Sequence, residues 1–242
     1  MPSKRKPRSL YRKGKAKAAN TSKKVFNDMR FKQKEAGMIK PEPFPRTLYT
    51  RCKYGRESGL AIPANNTAVA DTYRLNSIND PRFAIGGQTV TGHAALSAIY
   101  DAYWVMGAKV EVRFFNPDLE GVRVGCSLRI NSQNPTAGQN TTWLSQQPLT
   151  YMGGLADSGK QTKYFSFYVQ PWQLQSCTKL EYMSSSTLYA SKINTNPQLD
   201  NCLFDVFAIG TNATSANVRY AIKITYYTKL YERKGLTATG TP

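Results

Sequence analysis

Lys4, Arg5, Lys6, Arg8, Arg12, Lys13, Lys15, Lys17, Lys23, Lys24, Arg30, Lys32 and Lys34 share their stretch of chain with a single acid, Asp28. The chemistry available to such residues is electrostatic. Between Lys4 and Lys24 there are ten positive charges, no acid, and only Leu10 and Tyr11 as large apolar side chains. A segment so charged and so poor in apolar surface cannot bury enough to fold alone. It is suited to a negative partner: nucleic acid, a membrane surface, or the machinery of nuclear import. The cluster Lys4, Arg5, Lys6, Arg8, Arg12 and Lys13 has the composition of an import signal.

Covalent chemistry is much harder to find. "GLADSGKQ", Gly154 to Gln161, fits the phosphate-binding pattern G-x-x-x-x-G-K. However, Gln161 stands where a hydroxyl should hold magnesium, and a strand pattern follows where a helix N-terminus should cradle phosphate. The match reads as coincidence. His93 is the one imidazole in the chain, no serine sits in a G-x-S-x-G turn, and no cysteine is near His93. Cys52, Cys126, Cys177 and Cys202 are scattered without a C-x-x-C pair, so free thiols are expected. The acids after Glu57 are dispersed, with no adjacent pair suited to acid–base work. No catalytic residue, no metal site and no cofactor is therefore expected. One other stretch matters: "KITYYTKLYERK" interleaves Tyr226, Tyr227 and Tyr231 with Lys223, Lys229, Arg233 and Lys234. Such rings can stack bases while the cations hold phosphates, although tyrosine is equally a good strand residue. Arg113, Arg123 and Arg129 suggest a basic face, either solvated, inter-subunit or nucleic-acid-binding.

The elements that must carry these residues fall into two unequal parts. Residues 1–40 hold 14 Lys/Arg against Asp28 and Glu35, a net +12 out of +18 for the 242-residue chain. This is a basic arm, either disordered or forming one short helix from Ser22 to Ala36 with Gly37 as its stop. "IKPEPFP" places three prolines between Ile39 and Pro45, giving a stiff linker at 41–45. From residue 46 to 242 the period becomes two. Val122, Val124, Cys126, Leu128 and Ile130 alternate with polar residues or glycine, as do Val110, Val112 and Phe114, and Val218, Tyr220, Ile222, Ile224 and Tyr226. Further strands are expected at Thr47–Tyr54, Thr67–Leu75, Thr162–Val169 and Cys202–Ile209, with a weaker one somewhere in Thr178–Ala190. Only "GHAALSAIYDAY" reads as helical, and Asn131–Gln161 reads as one long polar connection. An all-β fold follows, an eight-stranded antiparallel sandwich, with a single jelly roll as one of few closed solutions. No window is apolar enough to span a membrane as a helix, and the N-terminus has no apolar h-region of a secretory signal.

"YRLNSINDPRF", "GGQ" and "ALSAIYDAYWVMGAKVEVRFFNP" together resemble the capsid proteins of circular, Rep-encoding single-stranded DNA viruses, the circovirus-like group. The matching residues are Asn76, Ser77, Asp80 and Pro81, then Gly86 and Gly87, then Ile99 and Tyr100, then Tyr103, Val105, Gly107, Ala108 and Lys109. Gly92 fits the next loop, but His93 and Ala94 depart from it, so no role is carried over there. The resemblance implies a single jelly roll, about sixty copies in an icosahedral T=1 shell, and an arm that binds packaged single-stranded DNA inside the virion. It further implies assembly in the host nucleus, with a nuclear import receptor and an unidentified cell-surface receptor as partners. The competing reading is a non-viral nucleic-acid-binding β-domain with a basic tail. A lectin- or cupin-like jelly roll is weaker, because a cupin needs clustered histidine and carboxylate ligands.

Overall fold

The computed structural model describes residues 44–64, 68–84, 88–116, 121–130, 150–155, 162–186, 188–198, 202–210 and 215–234. The arm, the expected helix at Ser22–Ala36 and Gly86–Gly87 lie outside these residues, as do most of the linker and of the 131–161 connection. The strands are β1 (Leu48–Ile62), β2 (Val69–Arg74), β3 (Tyr100–Phe115), β4 (Val122–Arg129), β5 (Thr150–Leu155), β6 (Thr162–Val169), β7 (Ser191–Lys192), β8 (Leu203–Gly210) and β9 (Ala216–Arg233). Among the described residues three short helices join them: α1 (His93–Ile99), α2 (Pro171–Leu174) and α3 (Lys179–Ser184).

Sheet I has the order β1-β9-β3-β6, with the two-residue β7 pairing the start of β3. Sheet II has the order β2-β8-β4-β5. Every pairing is antiparallel. Leaving β7 aside, the first strand pairs with the last, the second with the second-last, and so inward to the β4–β5 pair. That nesting is the single antiparallel jelly roll that the alternation pointed to.

Alternation sets which side of each strand meets the core. Tyr54, Val110, Val112, Ile222, Ile224 and Tyr226 face inward from sheet I, and Val122, Val124, Cys126, Phe204 and Val206 from sheet II, all at most 3% exposed. Burying each large apolar side chain contributes roughly 1.5–3 kcal/mol. One polar cluster also lies between the sheets. Tyr220 donates to Asp71 (2.6 Å), Tyr73 and Tyr220 share a hydrogen bond (2.7 Å), and Arg82 pairs with Asp71 at 3.0 Å. Burial pushes both phenols well above the usual tyrosine range.

The 73–83 segment folds back on β2. Arg74 N–H donates to the Pro81 carbonyl and Phe83 N–H to the Thr72 carbonyl, while Arg74 pairs with Asp80 at 2.9 Å. Ser77 lies fully buried within hydrogen-bonding reach of Tyr103 (3.2 Å). The roles seen for these motif residues are those of a scaffold.

Four expectations need correction. The helix stops at Ile99, because Tyr100 is extended (φ −121, ψ 148) and opens β3, pairing with Arg233. The 131–161 connection contains β5, whose Gly153 and Gly154 hide its strand character until β4 pairs with it. The described residues of Thr178–Ala190 hold no strand. Thr178 and Glu181 form a capping box that starts α3, satisfying end N–H groups a strand would not leave open. Finally, Arg113, Arg123 and Arg129 make no common basic face. Arg113 is on sheet I and Arg123 on sheet II, and Arg129 is buried against Asp205.

Candidate nucleic-acid interface

The thirteen arm cations, Lys4 to Lys34, lie outside the described residues, so the site that can be built from side chains is on the body. It starts from β9. Even-numbered residues of this strand from Ala216 to Leu230 point into the core, and Tyr226 is among them, fully buried with its hydroxyl donating to the Arg74 carbonyl at 2.7 Å. Tyr226 is therefore removed from the expected ring-and-cation set. The odd-numbered residues, including Lys223, Tyr227, Lys229 and Tyr231, form the middle of the outer face of sheet I.

Strand order decides what joins them. On one side β1 brings Tyr49, Arg51 and Lys53, in register with Lys229, Tyr227 and Thr225. On the other side β3 brings Trp104, Gly107, Lys109 and Glu111, and beyond it β6 brings Tyr164 and Tyr168. None of these neighbours is near β9 in sequence.

Half of this face is covered. The Trp104 and Tyr231 rings stack at 4.3 Å, and Tyr182 packs in the same cluster with its hydroxyl donating to the Val105 carbonyl at 3.1 Å. Burial raises Tyr231 to about 12. Lys229 reaches over the Trp104 ring at 5.0 Å.

The other half is open. Tyr49 is 68% exposed, Tyr168 58% and Tyr164 56%. Tyr227 lies between: the Arg51 guanidinium sits 5.4 Å from its ring centre, and Tyr168 meets it edge-on at 5.8 Å. Lys109 (2.9 Å) and Lys223 (3.7 Å) both pair with Glu111, which also accepts from the Tyr164 hydroxyl. The Lys109 hydrogen bond, then that of Tyr164, holds the Glu111 carboxyl below its usual range. A groove of about 650 Å³ opens here, lined by Tyr49, Thr50, Arg51, Lys53, Met106 and Tyr227 among others.

The remaining candidates resolve into structure. His93 is the first residue of α1, buried, with Nε2 2.7 Å from the Ile193 carbonyl oxygen. Gly154, the first residue of the phosphate-loop match, lies in β5. Cys52, Cys126 and Cys202 are buried thiols and Cys177 a half-buried one, and burial pushes the Cys52 and Cys126 thiols up. Among the described residues no three His, Cys, Asp or Glu side chains gather as metal ligands, and no helix is long and apolar enough to cross a membrane.

No protein-family model and no curated protein sequence matches the chain. Solved structures do resemble it. The decameric BFDV capsid protein is 11% identical, over 77% of this chain and all of that one, with a TM-score of 0.44. Desmodium yellow mottle tymovirus is 11% identical over 86% of this chain and 99% of that one (TM-score 0.39). Sacbrood virus of honeybee, in expansion state II, is 11% identical over 78% of this chain and 90% of that one (TM-score 0.39). At such identity each is a likeness of fold.

Proposed function

We propose that this chain is a viral coat subunit without enzymatic activity, which self-assembles into an icosahedral T=1 shell of about sixty copies and packages single-stranded DNA. The observation that carries the reading is one chain joining a complete jelly roll to a segment of net +12. Closed jelly rolls serve as coat, lectin and cupin domains. Neither a lectin nor a cupin has a use for such a segment, and the single histidine here is spent on a backbone carbonyl. The resemblance of the 73–117 region to circovirus-like capsid proteins selects DNA over RNA.

In this reading residues 1–40 are the arm, 41–45 the linker and 46–242 the shell domain. Lys4, Arg5, Lys6, Arg8, Arg12, Lys13, Lys15, Lys17, Lys23, Lys24, Arg30, Lys32 and Lys34 neutralise phosphates without reading sequence. The first six of them double as the import signal that takes the subunit to the host nucleus, while the virion later meets a cell-surface receptor.

Electron microscopy of the purified full-length protein, with and without single-stranded DNA, tests the proposal. Closed particles of uniform diameter are expected, with nuclease-protected single-stranded DNA inside. Subunit-sized species under every condition would overturn it in favour of a non-viral nucleic-acid-binding β-domain.

A further inference from the structure

A surface that only neutralises phosphate needs cations and nothing else, yet the open half of sheet I keeps rings in solvent. Tyr49 and Tyr168 expose more than half their area, and Tyr227 lies between them. Their placement depends on a clearing. Tyr227 is in register with Gly107 of β3 on one side and Arg51 of β1 on the other. A Cβ at position 107 would stand 2.7 Å from the Tyr168 hydroxyl, so only glycine lets Tyr168 lie across β3 and reach Tyr227. Arg51 flanks the same ring from the far side. Rings from β1, β9 and β6 therefore meet on one open floor about three strand spacings wide, roughly 14 Å.

Charge selects the occupant. Arg51 and Lys53 line the groove, Lys229 lies beside Tyr49 in register on β9, and none of the described residues lining the groove is acidic. Glu111, an acid on this face, is engaged by Lys109, Lys223 and Tyr164. A second copy of a chain with net charge +18 is a poor occupant, since a two-fold pairing would set Arg51 and Lys53 against their own counterparts. A polyanion with flat apolar faces fits rings and cations together. Unpaired bases offer such faces, whereas a duplex hides them in its own stack. Four-stranded sheets with two or three exposed rings stack two or three bases in this manner.

We infer that the groove lined by Tyr49, Arg51, Lys53 and Tyr227, with Tyr168 edge-on to Tyr227 beside it, is a second nucleic-acid site, distinct from the arm, that stacks unpaired bases of a single strand. It goes beyond the coat-protein reading and stands whether or not the chain forms shells.

The test uses the unassembled full-length chain and two labelled probes of equal length and phosphate number, an oligothymidylate and its abasic counterpart. Fluorescence anisotropy should show the base-bearing probe binding at least about five-fold tighter. Tyr49→Ala with Tyr168→Ala should abolish that preference while leaving abasic binding and its salt dependence unchanged. Tyr168→Phe, which keeps the ring, should retain it. Both tyrosines are exposed, so circular dichroism should be unaltered. Ultraviolet crosslinking of the wild-type chain to oligothymidylate should in addition label peptides containing Tyr49, Tyr168 or Tyr227. Equal affinity for the two probes, crosslinks confined to residues 1–40, or a preference that survives both alanines would each overturn the inference. So would a change in particle assembly on Tyr168→Ala with the preference intact, which would make this face a contact between copies.

Discussion

The pair Arg129–Asp205 offers the sharpest test of how sheet II is held. Asp205, on the central strand β8, is 0% exposed, and Arg129 on neighbouring β4 is 7% exposed. The carboxylate takes both Nε and Nη2 of the guanidinium, the latter at 2.8 Å, and the Thr72 hydroxyl of β2 at 2.6 Å. One acid thus ties three strands together across the outer face of the sheet. Removing either charge alone, by Asp205→Leu or Arg129→Met, strands the other in a site it cannot leave, at a cost of about 3–5 kcal/mol. Replacing both with apolar side chains of similar size, Asp205→Leu with Arg129→Met, removes the two charges together and costs the Thr72 hydroxyl its acceptor, about 1 kcal/mol for that hydrogen bond. The double variant should therefore be more stable than either single one, with a coupling energy of several kcal/mol. Urea unfolding of unassembled subunits followed by circular dichroism gives all four corners of the cycle. Each single change should lower the midpoint by roughly 1.5 M at an m-value near 2.5 kcal/mol/M. Single losses below about 1 kcal/mol that add in the double variant would refute a desolvated pair and return Arg129 to the solvent.

Other perturbations separate further parts of the argument. A Cβ at Gly125 would collide with the Phe207 ring and stand 2.5 Å from the Tyr151 carbonyl oxygen, so Gly125→Ala should cost about 1–3 kcal/mol. Gly107→Ala meets only the movable end of Tyr168 and should cost under about 1 kcal/mol, and urea midpoints would show the difference. Spectrophotometric titration should find Tyr73, Tyr182, Tyr220 and Tyr226 silent through the normal phenol range, since burial raises all four. The folded state then holds protons that the unfolded chain releases, so stability should fall as pH rises past about 10. For the arm, about 8 to 12 engaged phosphates give a slope of log K on log salt of roughly −6 to −8. Changing Lys4, Arg5, Lys6 and Arg8 together to Gln should flatten it by about 2–3 on any sequence.

Much of the fold is legible because period-two alternation survives wherever one side of a strand meets the core and the other does not. β6 begins and ends where its pattern does, at Thr162 and Val169, and the inward set of β9 runs from Val218 through Tyr226 as read. The pattern fails where identity and partner disagree. β5 has too few apolar residues to announce itself and is specified by β4. Arg129 does point away from the core, but alternation cannot distinguish an outer face in water from one covered by its neighbours. The α3 capping box, Thr178 and Glu181, is a local signal that the strand reading of this segment misses. The groove was the least legible part. Its rings come from positions 49, 168 and 227, and nothing local says that β1, β9, β3 and β6 lie side by side or that Gly107 is left bare between them.

The nested pairing has a consequence for biosynthesis. Sheet I is arranged around β9, which lies between β1 and β3 and pairs β1 over fifteen residues, from Leu48–Leu230 to Ile62–Ala216. On a ribosome β1 and β3 emerge long before the strand that joins them, with apolar faces and unpaired backbone edges open to other nascent chains. A sheet closed by so distant a partner carries a high loop-closure entropy and folds slowly. A stop codon just before Ala216 would therefore do more than trim an edge, since it removes the middle of the sheet and leaves β1 with nothing to pair with.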